Sequence, residues 1–347
     1  MRNYSKEIKE KLTEEQRVFI EKVKKRFFRS LKFKKDLYSY WDTLPNKIDG
    51  KVFKSVKQFE RIRETVFSCG SYLEFYFPKN TDLGRLQRAN FCKKDRLCSA
   101  CAVGRAYNQQ KKFLQSLNFF EKKLNMDLCK KNWYYIVTPV RHSSDETLEE
   151  VFERVFKLRQ SALKQMRHSR HRNTAGFWSQ FKGGMGSVEI TYTKNGWNVH
   201  INWLVYSDNR VQVYKVTDGK KSWYQNKDLE RFLKKFNDSY IHSIDELNFS
   251  STDLIRKHLL EVLKYALKFS SLSPEQLVEV YYTLYRKRLF FTFGSLRALK
   301  LESVEDVSIG DDIKDFEKFY RLIMTRYDKN DDISYEVTYF KEVDDIK

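Results

Sequence analysis

Four of the chain's five cysteines fall between positions 69 and 101, and their spacing constrains the fold more than any other local feature. Cys92, Cys98 and Cys101 stand as C-x5-C-x2-C, and Cys69 lies 23 positions before Cys92. Four thiolates close a tetrahedral Zn²⁺ shell, and a C-x2-C pair bends the backbone around one metal. The Lys and Arg residues around them favour the thiolate form. The alternative is reduced, unliganded cysteine, because a cytosolic chain argues against structural disulfides. Cys129 has no spaced partner and reads as an ordinary thiol.

Charge points to the partner. The chain carries 66 Lys and Arg against 46 Asp and Glu, a formal +20. It is unevenly placed: residues 301–347 hold 7 basic and 14 acidic side chains, which leaves +27 on residues 1–300. A field of that sign favours polyanions such as nucleic acid. The alternative is a merely soluble, lysine-rich surface. No run of 18 apolar residues occurs, and Met1-Arg2-Asn3-Tyr4-Ser5-Lys6 lacks the apolar stretch of a secretory signal, so the expectation is a cytoplasmic protein with no membrane partner. With 41% hydrophobic and 16% aromatic residues over 347 positions, disorder throughout is excluded and one large or two to three smaller cores are expected.

From 13 to about 33, Val18, Phe19, Val23, Phe27, Phe28 and Leu31 recur at helical spacing with Lys and Arg between them. Thr13-Glu14-Glu15-Gln16 has the spacing of a capping box. Residues 65–106 read as short strands and turns, Trp133-Tyr134-Tyr135-Ile136-Val137-Thr138 as a buried strand, and 144 to about 165 as a helix. Further helices are expected at about 227–237, 252–270 and 274–288.

Asn195-Gly196 is a strong hairpin signal. Taking it as the loop sets cross-strand partners at a constant index sum of about 391: Val188 with Trp203, Ile190 with Ile201 and Tyr192 with Val199 on an apolar face. The opposite face then gathers Glu189 with Asn202, Thr191 with His200 and Thr193 with Asn198. A carboxylate, an imidazole and an amide oxygen on one patch suit a hard divalent cation, although any amphipathic hairpin has such a solvent face.

Over 252–269, Ile255, Leu259, Val262, Leu263 and Ala266 fall on one helical arc, and Glu261, Lys264, Tyr265 and Lys268 on the other. A tyrosine beside lysines can attack a phosphodiester, since the cations stabilise the phenolate. An exposed helical tyrosine commonly does nothing of the kind.

Read in order, these segments resemble a known family. They are Cys69-Gly70-Ser71-Tyr72-Leu73-Glu74-Phe75; Ala89-Asn90-Phe91-Cys92 through Arg96-Leu97-Cys98-Ser99-Ala100-Cys101 and Arg105; Val137-Thr138-Pro139-Val140-Arg141; Val188-Glu189-Ile190-Thr191-Tyr192 with Gly196-Trp197-Asn198-Val199-His200-Ile201-Asn202; Glu261-Val262-Leu263-Lys264-Tyr265; and Arg288 to Arg297. The pattern is similar to plasmid rolling-circle replication initiators of the HUH endonuclease superfamily, in the group with a cysteine motif ahead of the nuclease core.

The resemblance implies an α+β fold, with a central antiparallel sheet, the His200 strand in its middle and the Tyr265 helix across the metal face. It implies a domain order of an N-terminal helical region (1–64), a cysteine-rich zinc module and helix (65–128), the nuclease core (129–300) and an acidic C-terminal extension (301–347). It implies a nickase for one strand of a plasmid origin, using Mg²⁺ or Mn²⁺ at Glu189, His200 and Asn202 and structural Zn²⁺ at Cys69, Cys92, Cys98 and Cys101. Tyr265 would form a 5′-phosphotyrosine link and free a 3′-OH primer, Glu261 would help end the cycle, and Lys264 or Lys268 would offset phosphate charge. Implied partners are single-stranded or cruciform origin DNA, a host helicase and the replisome. Lys182, Arg167, Arg170 and Arg172 in the basic stretch 164–182, with Phe177 and Trp178, are candidates for holding DNA, and the alternative for that stretch is a flexible solvated loop.

The core motif departs from the family's His-hydrophobic-His, because Asn202 stands where the second histidine belongs. That substitution implies weaker or more Mg²⁺-biased binding. Two alternatives stand beside this reading: a relaxase or single-strand transposase of the same superfamily, and a catalytically degenerate, zinc-containing DNA-binding regulator.

Overall fold

The computed structural model describes residues 12–41, 56–78, 85–106, 108, 130–140, 142–167, 176–219, 221–236, 243–247, 262, 272–298, 316–327 and 333–342. The chain divides into two units, one of Met1–Gly104 with Val304–Lys347 and one of Arg105–Ser303. The four segments expected from the sequence therefore regroup: the N-terminal region, the cysteine region and the C-terminal residues share one unit.

The first unit opens with α1 (Glu14–Trp41). Its start is the expected capping box, with Gln16 N donating to Thr13 Oγ1 at 3.3 Å and Thr13 N donating to Gln16 Oε1 at 3.1 Å. The helix runs eight residues beyond the expected end near 33, because Leu37 and Trp41, each 1% exposed, carry the apolar stripe onward. Then α2 (Val56–Phe67) meets it where Tyr38 packs on Phe67 and its hydroxyl donates to Glu64 at 2.6 Å.

Four antiparallel strands follow: β1 (Tyr72–Pro78), β2 (Arg85–Ala89) and, far along the chain, a late pair at Phe316–Tyr327 and Ile333–Glu342. The late pair joins at β1, whose Phe75 partners Tyr320 in register. Within the acidic segment 301–347, Phe316–Tyr327 and Ile333–Glu342 thus contribute two strands to this sheet. Alternate positions Leu73, Phe75 and Phe77 of β1 are fully buried, and Phe19 of α1 meets the last two edge-on.

The second unit is α+β, built on a five-stranded antiparallel sheet. Its strands are β3 (Asn132–Pro139), β4 (Gly183–Thr193), β5 (Gly196–Ser207), then, after the two-stranded hairpin β6 (Tyr214–Asp218) and β7 (Lys221–Gln225), β8 (Ser243–Leu247) and β9 (Phe290–Gly294). The order is β8-β3-β5-β4-β9, which puts β5, the His200 strand, in the middle as expected.

One face is apolar and carries the helices. Trp203 and Ile201 of β5, Tyr134 and Ile136 of β3 and Val188 and Ile190 of β4 are all at most 2% exposed. On this face lie α3 (Leu148–Arg167), a 3-10 turn at Phe177–Gln180, α4 (Lys227–Leu233) and α5 (Pro274–Thr283). Helix α3 starts at Leu148, later than the expected 144, because Glu146 accepts from Ser143 N at 2.8 Å and closes a turn first. Thr147 and Glu150 then exchange capping bonds at the true start. Helix α5 begins with a capping box between Ser273 and Gln276 and a proline in its first turn.

Phe177 and Trp178 are core residues, 1% and 0% exposed, with the Trp178 ring 4.5 Å from Trp203. They are not available to stack on DNA bases, a correction to the sequence expectation. Their spacing beside basic residues resembled an exposed binding stretch, but the pair caps the apolar face. Among the described residues, no helix is long and apolar enough to cross a membrane.

Candidate metal centres

Three loops of the first unit bring four sulfurs together. Cys69 sits in the turn after α2, Cys92 follows β2, and Cys98 precedes a helical segment at 99–106, with Ala102 N donating to the Cys98 carbonyl at 2.9 Å. Asn90 ties the first two loops. Its Oδ1 accepts from Gly70 N at 3.0 Å and Tyr72 N at 2.9 Å, and its Nδ2 donates to Ser71 Oγ at 2.8 Å and to the Ser68 carbonyl. Gly70 takes a φ of +84° to turn the chain there, a conformation that favours glycine.

The Sγ–Sγ separations are 3.6 Å for Cys69–Cys101, 3.4 Å for Cys92–Cys101 and 3.7 Å for Cys69–Cys98, and all four sulfurs lie within 4.8 Å of one another. A disulfide needs about 2.05 Å. A sulfur tetrahedron with Zn–S bonds of about 2.3 Å has edges of about 3.8 Å. The donor set and spacing therefore fit a metal such as zinc. All four cysteines are buried, Cys98 completely.

The sulfurs are electrostatically uneven. The Cys98 thiol is held far below its ordinary range, first because Cys101 and then Cys69 and Cys92 hydrogen-bond its thiolate, with the Lys34 cation adding to the effect. The Cys92 thiol is pushed up, chiefly by its bond to Cys101 and then by Cys69, Cys98 and burial. Such a cluster either shares protons among its sulfurs or gives them up to a cation.

Lys34 is the residue that the sequence reading missed. It is 2% exposed on α1, and its Nζ donates to the Cys69 carbonyl at 2.6 Å. The signal was present: Lys34 occupies an apolar slot in the 3–4 spacing that leads to Leu37 and Trp41.

The second candidate centre lies on the polar face of the five-stranded sheet. There the hairpin register corrects the expected one: Glu189 pairs with His200, Ser187 with Asn202 and Ile190 with Val199, an index sum of 389. The reason is the turn. Lys194 and Asn195 are its central residues and neither has positive φ, whereas Gly196, at +89°, closes it as the left-handed residue of a bulged turn. A Cβ at Gly196 would collide with the Ser143 carbonyl. The slip is two residues, so parity survives and every side chain keeps its expected face.

Consequently Glu189, His200 and Asn202 do meet. His200 Nε2 lies 3.3 Å from Glu189 Oε2, and Asn202 Nδ2 donates to that same oxygen at 3.0 Å. The side chains of His200 and Glu189 are 16% and 21% exposed, while Asn202 is 6% exposed. Thr191 sits across from Asn198 on this face, one pair nearer the turn. The set offers a carboxylate, an imidazole and an amide, which suits a hard cation once the Asn202 amide turns to present its oxygen.

The expected catalytic residues Tyr265, Glu261, Lys264 and Lys268 lie outside the described residues, as do Arg170 and Arg172. Val262, on the expected apolar arc of that helix, is helical and 1% exposed. Lys182 and Arg167 are exposed, and Arg167 Nε donates to the Leu163 carbonyl of its own helix. No family model, curated protein or solved structure matches the chain.

Proposed function

We propose that this protein is a metal-dependent single-strand DNA nickase of the HUH type, acting as the replication initiator of a rolling-circle plasmid. The observation that carries the reading is the cross-strand pair of Glu189 and His200 on the central strands of an antiparallel sheet, with Asn202 on the same carboxylate oxygen. The resemblance in motif order and the +27 charge on residues 1–300 support it.

Glu189, His200 and Asn202 would hold Mg²⁺ or Mn²⁺, which supplies Lewis-acid polarisation of the scissile phosphate. Tyr265 attacks that phosphate in line and keeps the 5′ side as a phosphotyrosine, while the departing 3′-OH serves as primer. Glu261, four residues before the tyrosine in sequence, would take a proton from the water that hydrolyses the phosphotyrosine and so ends the cycle, and Lys264 or Lys268 would offset the charge that develops on the phosphate. In the first unit, Cys69, Cys92, Cys98 and Cys101 hold structural zinc.

A second reading is a zinc-containing DNA-binding regulator. It is favoured by one detail: the Asn202 amide donates its hydrogen to Glu189, so the polar patch is satisfied without a cation. Cleavage of labelled single-stranded candidate-origin oligonucleotides with Mg²⁺ or Mn²⁺, in wild type and Glu189→Gln, separates the two. Metal-dependent cleavage lost in the variant supports the nickase; cleavage that persists unchanged in Glu189→Gln, or none in wild type, overturns it.

A further inference from the structure

Two polar groups on the open face of the five-stranded sheet are left unused by the bonds described above. Asn202 is 6% exposed, and its amide bonds through Nδ2 to Glu189. Among the described residues, nothing donates to its Oδ1. Ser187 is 7% exposed, and among the described residues its hydroxyl makes no hydrogen bond. Polar groups so largely removed from water are costly to leave without partners.

The register makes these two groups neighbours. Ser187 of β4 stands directly across from Asn202 of β5, with Phe290 of β9 on its other side. On the β3 side the partner of Asn202 is Val137, and the next β5 residue on this face is Leu204. Phe290, Val137 and Leu204 offer no side-chain oxygen. Directly across the strands, Ser187 and Asn202 are therefore each other's one polar side chain. Facing side chains of an antiparallel pair have Cβ atoms about 4.5–5.5 Å apart, so rotamer changes alone bring a hydroxyl and an amide within hydrogen-bond reach.

A cation changes what the amide must do. Without one, the Glu189 carboxylate attracts an N–H and repels an amide oxygen, which is the arrangement seen. A cation on Glu189 and His200 inverts that preference, because only Oδ1 of the amide can be a ligand. Turning the amide over strips Nδ2 of its acceptor and swings it away from Glu189. With Glu189 and His200 committed to the cation, the displaced N–H needs another oxygen.

We propose that Ser187 is a positioning residue for the cation: its hydroxyl oxygen accepts from Asn202 Nδ2 when the amide turns to give its own oxygen to Mg²⁺ or Mn²⁺. Ser187 acts through Asn202 and is not itself a ligand. The proposal rests on the reading of Glu189, His200 and Asn202 as a cation site and adds the residue that sets the direction of the amide. A serine kept only for space beside Phe290 would be matched by alanine.

The test is a double-mutant cycle in Mn²⁺ affinity, followed by electron paramagnetic resonance on the full chain. It compares wild type, Ser187→Ala, Asn202→Ala and the double variant, with thermal melts to check folding. Ser187→Ala should weaken Mn²⁺ by about tenfold, the scale of one hydrogen bond left unmade at a mostly buried amide, and by less than about twofold once Asn202 is alanine. A loss of the same size in both backgrounds overturns the proposal, since Ser187 then acts by itself, as a ligand or through packing. No loss in either background overturns it too.

A second readout follows the Asn202 side-chain amide protons by nuclear magnetic resonance in the Mg²⁺-loaded, isotope-labelled protein. Their exchange with solvent should be faster in Ser187→Ala than in wild type, and equal exchange contradicts the bond. Failure of the cation site is separable from failure of Ser187. If wild type shows no saturable Mn²⁺ binding, or binding that Glu189→Gln leaves unchanged, the site itself is wrong and the proposal falls with it. Binding that Glu189→Gln abolishes and Ser187→Ala leaves unchanged removes Ser187 alone.

Discussion

Lys34 donates from its ammonium to the main-chain carbonyl of Cys69 at 2.6 Å, and only 2% of the residue is exposed. A buried ammonium is costly unless it meets negative charge. The four sulfurs beside it supply that charge once they lose protons, so α1 and the cysteine cluster are energetically linked. Lys34→Met keeps the stem and removes the charge. The expected outcome is zinc affinity lowered by about tenfold, the scale of an outer-shell loss at a metal site. A chelator competition titration checks it, and unchanged affinity in a folded variant would show that the ammonium serves packing alone.

Asn202 tests the polar patch. Replacing its amide with imidazole supplies a second nitrogen donor that does not first have to turn away from Glu189. Asn202→His should tighten Mn²⁺ binding by about tenfold and Mg²⁺ binding much less. Titration of Mn²⁺ followed by its electron paramagnetic resonance signal gives both the constant and the stoichiometry. Equal, weak Mn²⁺ binding in the two proteins would count against a cation at this place.

Glu146 governs part of the acid stability of the second unit. Arg154, first, and then the Ser143 main-chain N–H hold its carboxyl below the usual 4.5. A depressed carboxylate contributes stability that is present above its unfolded value and lost as pH falls through its folded one. The contribution is partly screened by solvent and amounts to about 0.5–1 kcal/mol. Glu146→Gln should therefore melt slightly lower than wild type at pH 7 and converge with it at pH 3. Parallel melting curves across that range would remove the pair from the account.

The pattern of what could be read in advance follows from periodicity. Alternation over 188–203 fixed which residues face each other's side of the sheet, because a two-residue slip preserves parity. The register expected from an Asn195-Gly196 loop was off by two residues, because Gly196 closes the turn instead of standing at its centre. Cysteine spacing identified all four members of the cluster. Lys34 escaped because a lysine in a basic helix reads as solvated, and only its position between apolar slots betrays it. The strands at Phe316–Tyr327 and Ile333–Glu342 were hidden by the acidic balance of 301–347, in which Phe316, Phe319, Tyr320, Leu322 and Ile323 are nonetheless strand formers. Phe177 and Trp178 misled in the opposite direction, since aromatic residues beside cations suit a core cap as well as a binding surface.

The measurement that bears most directly on the nickase reading is a covalent one. Wild type and Tyr265→Phe are incubated with labelled single-stranded candidate-origin DNA and Mg²⁺ or Mn²⁺, then resolved on a denaturing protein gel. The account predicts a DNA-linked protein band in wild type that is absent from Tyr265→Phe, while both bind the DNA equally. Binding without any linked band, or a band that survives in Tyr265→Phe, would contradict it.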